Sequence, residues 1–254
     1  MSSEKSRVVL VTGASRGIGR AIAEGFAADG HRVACAARSV DAVTALAQEI
    51  GGLAVPLDVT DGAAVDAALA TVEAELGPVE ILVNNAGIAT SAPLQRTSDA
   101  DWDRTIAVNL TACFRLCRAV VPKMVEAGYG RLIFVASNAG LTGYAYTAAY
   151  CASKHGVIGL TRALAAELAR TGVTANAICP GFVDTEMTQA SIQRIQETTG
   201  RDAAAARKAL EKMNPQRRLV EVDEILHLAR AFASEGARGV NGQAVAVDGG
   251  QVMH

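Results

Sequence analysis

Several marks of specialised protein classes are missing from this 254-residue chain, and each absence excludes something. Lys and Arg number 24 against 26 Asp and Glu, so no surplus of positive charge is available to neutralise a phosphate backbone over a broad surface. No nucleic-acid partner is expected. No uninterrupted apolar run approaches the roughly 18 residues that a membrane helix requires, which predicts no membrane partner. Residues 1–7 are polar and charged and lead straight into Val8-Val9-Leu10-Val11, without the longer apolar segment and small-residue cleavage site of a secretory leader. This predicts a cytoplasmic protein. The five cysteines, Cys35, Cys113, Cys117, Cys151 and Cys179, are odd in number and include no CxxC pair or clustered histidine. They indicate neither a disulfide framework nor a metal site and read as small core residues. There is no internal repeat, low-complexity tract or linker, so residues 1–254 are taken as a single domain. With 50% hydrophobic and 20% charged residues, disorder is excluded too.

What is present is a rhythm. Short β-branched runs at 8–11, 32–37, 53–57, 81–83, 132–135, 174–178 and 244–247 alternate with segments at 17–28, 40–50, 62–75, 109–126, 150–169 and 222–233 that carry apolar residues at helical spacing. Repeated βαβ units with near-continuous apolar strands predict an α/β fold of the Rossmann type, a doubly wound, seven-stranded parallel sheet with helices on both faces. In such a fold the ligand crevice lies beyond the carboxyl ends of the strands. Only residues 183–215 break the rhythm, with two polar helix-like pieces at 186–198 and 201–213 parted by Gly200. They read as a small helical lid over the crevice, whose scattered Met187, Ile192, Ile195, Leu210 and Met213 are expected to cover a substrate.

The first strand runs into Thr12-Gly13-Ala14-Ser15-Arg16-Gly17-Ile18-Gly19 and then a helix. Glycines there let a pyrophosphate approach the N–H groups and partial positive charge of the helix end. The spacing G-x-x-x-G-x-G differs from the commoner G-x-G-x-x-G, but its place after the first strand argues for a dinucleotide. At the end of the second strand, where an acidic side chain would bind a ribose 2′-hydroxyl and repel a 2′-phosphate, the chain reads Ala36-Ala37-Arg38. The first carboxylate, Asp41, falls in the next helix. Arg38 and Arg16 are suited to a 2′-phosphate, so NADPH is the expected cofactor.

Ser137 ends the fifth strand, and thirteen positions later a helix opens with Tyr150-Cys151-Ala152-Ser153-Lys154. Four positions place Tyr150 and Lys154 on one helical face. A phenol with an unperturbed pKa of about 10 is a reluctant proton exchanger at neutral pH, and a nearby ammonium favours its ionised form. Tyr150 can then exchange a proton with an alcohol or carbonyl oxygen that Ser137 holds while hydride moves between carbon and nicotinamide. Lys154 has room for a second task at the ribose hydroxyls.

These pieces in combination resemble the short-chain dehydrogenase/reductase family over essentially the whole chain. The matching residues are TGASRGIG at 12–19, Asp58-Val59, NNAG at 84–87, Asn109, Ser137, Tyr150 with Lys154, and Pro180-Gly181 leading to Thr185. The resemblance implies cofactor contacts from Gly13, Ser15, Arg16, Gly17, Ile18, Gly19, Arg38, Asp58 and Val59. It implies further contacts from Asn85, Ala86 and Gly87 beneath the cofactor, from Tyr150 and Lys154, and from Pro180, Gly181, Val183 and Thr185 around the nicotinamide. Asn109 is expected to hold a water that links Lys154 to solvent. Residues 168–183 resemble 3-oxoacyl-[acyl-carrier-protein] reductases and aromatic polyketide ketoreductases, which implies reduction of a 3-oxoacyl thioester or polyketide ketone to a secondary alcohol. An acyl carrier protein or CoA would then present the substrate, and Arg131, Arg170 and Arg194 are the bases expected to dock a carrier. Family likeness also implies a homotetramer, with 109–126 and 150–169 pairing through small residues such as Ala163 and Ala166.

Specificity must reside in the crevice walls, residues 88–94 and 139–146 among them. Leu141, Tyr144, Phe182 and Met187 are expected to form an apolar substrate pocket. Two other readings stand beside the reductase: an NAD-dependent dehydrogenase oxidising a hydroxy acid or hydroxyacyl-CoA, and a non-catalytic dinucleotide-binding regulator.

Overall fold

In the computed structural model, residues 5–253 are described; residues 1–4 of the charged N-terminal stretch and His254 lie outside them. The strands are β1 (Val8–Thr12), β2 (Arg32–Ala37), β3 (Leu53–Pro56), β4 (Ile81–Asn84), β5 (Gly130–Val135), β6 (Val173–Pro180) and β7 (Ala244–Val247). They form one sheet in the order β3-β2-β1-β4-β5-β6-β7, every neighbouring pair parallel. The expected fold class is the one observed. After β3 the chain returns to lay β4 on the other side of β1, so the loops following β1 and β4 diverge and leave a crevice between them.

The helices are α1 (Gly17–Ala28), α2 (Val40–Ile50), α3 (Gly62–Leu76), α4 (Asp99–Ile106), α5 (Ala112–Glu126), α6 (Ala148–Glu167), α7 (Glu186–Thr199), α8 (Ala203–Glu211) and α9 (Val222–Ala233). Successive strand residues face opposite sides of a sheet, and β1 shows the consequence. Val8 and Leu10 join a cluster with Val65 and Val72 of α3, Leu116 and Met124 of α5 and Val157 of α6, whereas Val9 and Val11 join Ile22 and Phe26 of α1, Leu46 of α2 and Phe232 of α9. Both faces are therefore covered.

Strand ends run one or two residues further than their apolar runs suggest, β4 to Asn84 and β6 to Pro180. The larger difference lies before Asn109. The expected helix begins earlier, as α4, and passes through a wide turn, Ala107–Thr111, in which the N–H of Ala112 reaches back to the carbonyl of Ala107. α4 is Asp-rich and buries only Thr105, so hydrophobic spacing carries no sign of it; Ser98, whose hydroxyl accepts from the Asp101 N–H at 3.1 Å, caps its start. By length and composition alone, the stretch Asp99–Glu126 could span a bilayer, its most apolar 18-residue window having a mean hydropathy of 1.2. Here Leu116, Cys117 and Met124 turn instead into the sheet cluster.

The lid is present, but part of its expected role is corrected. Ile192 and Leu210 do not face the crevice; with Ala206 and Leu219 they form a small core of their own, against which Phe182 and Ile195 pack. Met187 and Met213 are the two left exposed. Arg131 is likewise no docking base. It is 2% exposed, its guanidinium donating to the carbonyls of Gly130, Gly172 and Ser234 and lying 4.3 Å from the centre of the Tyr129 ring. A strand-opening arginine reads as solvated in sequence, yet three carbonyls and an aromatic face compensate its burial. All five cysteines are free, and burial pushes the Cys35 and Cys179 thiols up to about 12, which suits their core role.

Candidate active site

The crevice starts with Thr12 at the end of β1. Its buried hydroxyl donates to the Val83 carbonyl at 3.2 Å and accepts from the N–H groups of Asn85 and Ala86 at 3.0 and 3.1 Å, which ties the ends of β1 and β4 together. The Asn85 amide donates to the carbonyls of Thr12 and Gly13, at 2.9 and 3.2 Å. The NNAG turn thus holds the glycine turn from beneath. A Cβ on Gly19 would lie 2.3 Å from the Asn85 amide nitrogen and 2.4 Å from the Gly13 oxygen, and Gly13 and Gly17 have φ of +66° and +54°, a left-handed backbone that glycine tolerates. The backbone there is too close to its neighbours for any larger residue.

Arg16, with extended backbone, is the N-cap of α1 and makes no side-chain cap bond. The helix-end N–H groups therefore have no side-chain partner at the cap, and the glycine cradle beside them fits a pyrophosphate. Thr185 lies across this turn, its methyl 3.3 Å from where a Gly17 Cβ would be, so the residues after β6 close over the same cradle. Ser15 and Ile18 are half-buried, and Arg38 is exposed at the end of β2. Asp41 sits in the first turn of α2, beyond that strand end. Among the described residues neither Arg16 nor Arg38 joins a salt bridge. Asp58 accepts from the hydroxyl and N–H of Thr60 at 2.7 and 2.9 Å, and these bonds hold its carboxyl below the usual range, helped by the charges of Arg38 and Arg104. Val59 is buried beside it.

Across the crevice, Ser137 follows β5 and its Oγ accepts from the Ala139 N–H at 3.1 Å. The one-turn helix Asn138–Gly140 packs so tightly on α6 that a Cβ on Gly140 would lie 2.7 Å from the Lys154 carbonyl oxygen. Tyr150 occupies the first turn of α6. Lys154, one turn on and 4% exposed, donates from Nζ to the Val135 carbonyl at 2.9 Å, with Nζ 5.7 Å from the Tyr150 ring centre. Asn109 comes to the same place from the wide turn between α4 and α5. Its Oδ1 accepts from the Ile88 N–H, and its Nδ2 donates to the Ile88 carbonyl and the Ser153 Oγ. Gly87 completes the group, since a Cβ there would be 3.4 Å from Asn109 Oδ1 and 3.7 Å from Lys154 Nζ.

After β6, Gly181 donates its N–H to the Val247 carbonyl, and Val183 is buried in a bridge to Val220. The expected pocket residues are more dispersed than anticipated: Leu141 packs against the α3/α5/α6 cluster, Phe182 against the lid core, and Met187 is exposed. Tyr144 accepts a hydrogen bond from the Gln251 amide at 2.8 Å, and burial pushes its hydroxyl up to about 12. A cleft of about 230 Å³, lined among others by Thr90, Ser91, Tyr146 and Arg194, opens between the expected wall segments and the lid. Tyr146, at φ +66° with its carbonyl accepting from Ala92 at 2.8 Å, joins the two walls. Asn138, Asp248 and Gln251 also belong to this region, and sequence reasoning misses them because they are polar residues without a spacing signal of their own; Thr12 and Ser153 stand within the glycine-turn and Tyr150–Lys154 motifs, but their bonding roles are not legible there.

This arrangement presents a glycine cradle beside Ser137, Tyr150 and Lys154, and comparison with known proteins shows the family. A family model described as short chain dehydrogenase matches residues 7–196, and the chain belongs to that family of oxidoreductases, which bind a nicotinamide dinucleotide. It is 42% identical over 248 residues to the 3-oxoacyl-[acyl-carrier-protein] reductase MabA of Mycobacterium tuberculosis, covering 98% of this chain and 94% of that one. It is 40% identical over 254 residues to D-threitol dehydrogenase of Mycolicibacterium smegmatis, covering 97% and 93%. Among solved structures, a single-substitution variant of actinorhodin polyketide ketoreductase, crystallised with NADPH, superposes with a TM-score of 0.94 at 35% identity, covering 99% of each chain.

Proposed function

We propose that the chain reduces a ketone, either a 3-oxoacyl thioester or a polyketide ketone, to a secondary alcohol with NADPH. The observation that carries this reading is the convergence of Ser137, Tyr150, Lys154 and Asn109 beside the glycine cradle, together with an arginine and no carboxylate at the end of β2. A reduced nicotinamide, when bound, supplies the hydride. The chain's own residues do the rest. Ser137 donates a hydrogen bond to the ketone oxygen, and Tyr150 passes its phenolic proton to that oxygen as negative charge develops there. Lys154 steadies the phenolate that results and reaches the ribose hydroxyls. Asn109, braced against Ile88 and Ser153, keeps Lys154 in register and has one acceptor position left on Oδ1 for the water that links Lys154 to solvent. Gly13 to Gly19 and Asn85 to Gly87 carry the dinucleotide; Asp58 and Val59 border its adenine end, and Pro180, Gly181, Val183 and Thr185 its nicotinamide.

Arg16 and Arg38 favour the 2′-phosphate. A thioester substrate suits the names of the reductases above, with Arg170 and Arg194, both exposed, as the remaining candidate contacts for an acidic carrier protein. The exposed Phe114 on α5, Ala163 and Ala166 on α6 and Val245 on β7 are the surfaces through which a homotetramer would close, and a sedimentation experiment measures it. A cytoplasmic site of action fits this chemistry.

The test is a panel of β-keto thioesters and cyclic ketones followed by NADPH absorbance. Turnover with NADPH and its loss in Tyr150→Phe support the reading; a strong NADH preference or unchanged turnover in that variant overturns it. The likeness to D-threitol dehydrogenase keeps a second reading, an NAD-dependent alcohol oxidation by the same residues, and assaying polyols with NAD separates the two.

A further inference from the structure

The last turn of the chain reaches into the loop that joins Ser137 to Tyr150. After β7 the backbone folds around Asp248, a carboxylate 2% exposed whose oxygens accept from the N–H groups of Gly250, Gln251 and Val252 at 3.0, 3.1 and 3.0 Å. The same carboxylate accepts from the amide of Asn138, the residue directly after Ser137, at 3.2 Å, and that amide also lies 3.3 Å from the side-chain oxygen of Gln251. Gln251 then donates its own amide to the Tyr144 hydroxyl at 2.8 Å. On its other side Asp248 meets the turn after β6, where a Cβ on Gly181 would lie 2.9 Å from the Asp248 Cβ. Four side chains thus form one continuous path from the serine loop, through the C-terminal turn, to the tyrosine of the substrate wall.

The Gln251 amide serves both ends of this path, accepting from Asn138 with its oxygen and donating to Tyr144 with its nitrogen. The half-buried phenol carries the only hydroxyl on the wall that the chain itself anchors in this way, among the described residues. Without the amide, the Tyr144 hydroxyl loses its bond to the C-terminal turn and keeps only the Asn138 side chain, while Asn138 keeps Asp248.

We propose that Gln251 is a positioning residue for substrate selection: through Asn138 and Tyr144 it sets the loop that joins Ser137 to Tyr150 and so decides which ketones fit. The proposal rests on the reductase reading and is tested so that the two fail separately. With NADPH as cofactor, kcat and KM are measured for a bulky bicyclic ketone and a small β-keto ester in Gln251→Ala, Tyr144→Phe, the double variant and Gln251→Glu. A neutral hydrogen bond lost at the wall should raise KM for the bulky ketone by about five- to tenfold, with kcat and NADPH affinity within about twofold. Tyr144→Phe should raise KM similarly, and the double variant should be no worse than either single one, because both break the same link. Gln251→Glu should restore KM, since the phenol can donate to a carboxylate that still accepts from Asn138. The proposal is overturned if Gln251→Ala leaves the KM ratio of the two ketones unchanged, or if the two single effects multiply in the double variant. Should Gln251→Ala not fold, Tyr144→Phe decides the matter in the same way, since it keeps the ring and removes one oxygen. Tyr150→Phe, run alongside, reports on the reductase reading itself; its retention of activity sinks that reading, whatever Gln251 does.

Discussion

The cofactor half of the crevice and the lid are built to different standards of closeness. Around β1 and β4 the backbone itself is in contact: Thr12 bridges two strand ends, the Asn85 amide holds the glycine turn, and Gly19 has no room for a methyl group. The lid instead has a core of four buried residues, is joined to the sheet layer by the Val183–Val220 bridge, and carries an ion pair between Arg207 and Asp184 at 2.7 Å. The reacting groups need fixed distances, and the residues that choose a substrate need adaptability. The difference between the halves matches that division.

The comparison can be broken most forcefully at its rigid side. Tyr150→Phe should lower kcat by about a hundred- to ten-thousandfold, the span of a positioned proton donor, while NADPH binding measured by fluorescence stays close to that of the parent. Gly19→Ala should displace Asn85 or the glycine turn, costing about 1–3 kcal/mol of stability through overpacking and abolishing measurable cofactor affinity; unchanged affinity would show that the cradle yields. Leu10→Ala, in the sheet core, should cost about 2–5 kcal/mol in a denaturant titration. Leu210→Ala, by contrast, should barely move the global midpoint but should speed proteolysis between α7 and α8 and raise KM. Equal global costs at the two leucines would mean that the lid and sheet unfold as one.

The smallest effect belongs to Asp184. The Arg207 guanidinium holds its carboxyl below the ordinary value of 3.8, with Gln189 contributing. A carboxyl depressed in the folded state stabilises it above that ordinary value and loses the contribution as pH falls through the depressed one. Both side chains are about a third exposed, so the pair is worth less than about 1 kcal/mol. Arg207→Ala should leave turnover unchanged between pH 6 and about 8 and differ from the parent in lid proteolysis only modestly; a large loss at neutral pH would show that the pair is a true latch.

The two halves are also unequally legible in the sequence. The seven strands and their covering helices follow from alternating apolar runs, because each sheet face needs a whole stripe of such residues, and β2, α1, α2, α9 and β7 have the bounds their periodicity predicts. The glycine turn and the Tyr150–Lys154 spacing are readable since their chemistry demands particular residues at particular intervals. α4 is not, because a solvated, Asp-rich helix leaves no apolar stripe; Ser98 followed by Asp101 is its available signal. Arg131 misleads because two of the carbonyls that solvate it, those of Gly172 and Ser234, come from distant segments of the chain. The lid's inward residues mislead for a related reason: spacing shows that Ile192 and Ile195 share one side of α7 and Ala206 and Leu210 one side of α8, but not that the two helices satisfy each other before they meet a ligand. The Asp248–Asn138–Gln251 link joins positions more than a hundred residues apart, which no local pattern reveals.

The wide turn at Ala107–Thr111 leaves one residue too many for a regular spiral. Deleting a single position there would mend the ladder and turn everything before it by about 100° around the axis. The acidic rod that borders the mouth would then swing out of phase with the asparagine that braces the interior. The defect works as a gear between two faces of one rod, and an otherwise helix-improving deletion would be expected to strip it.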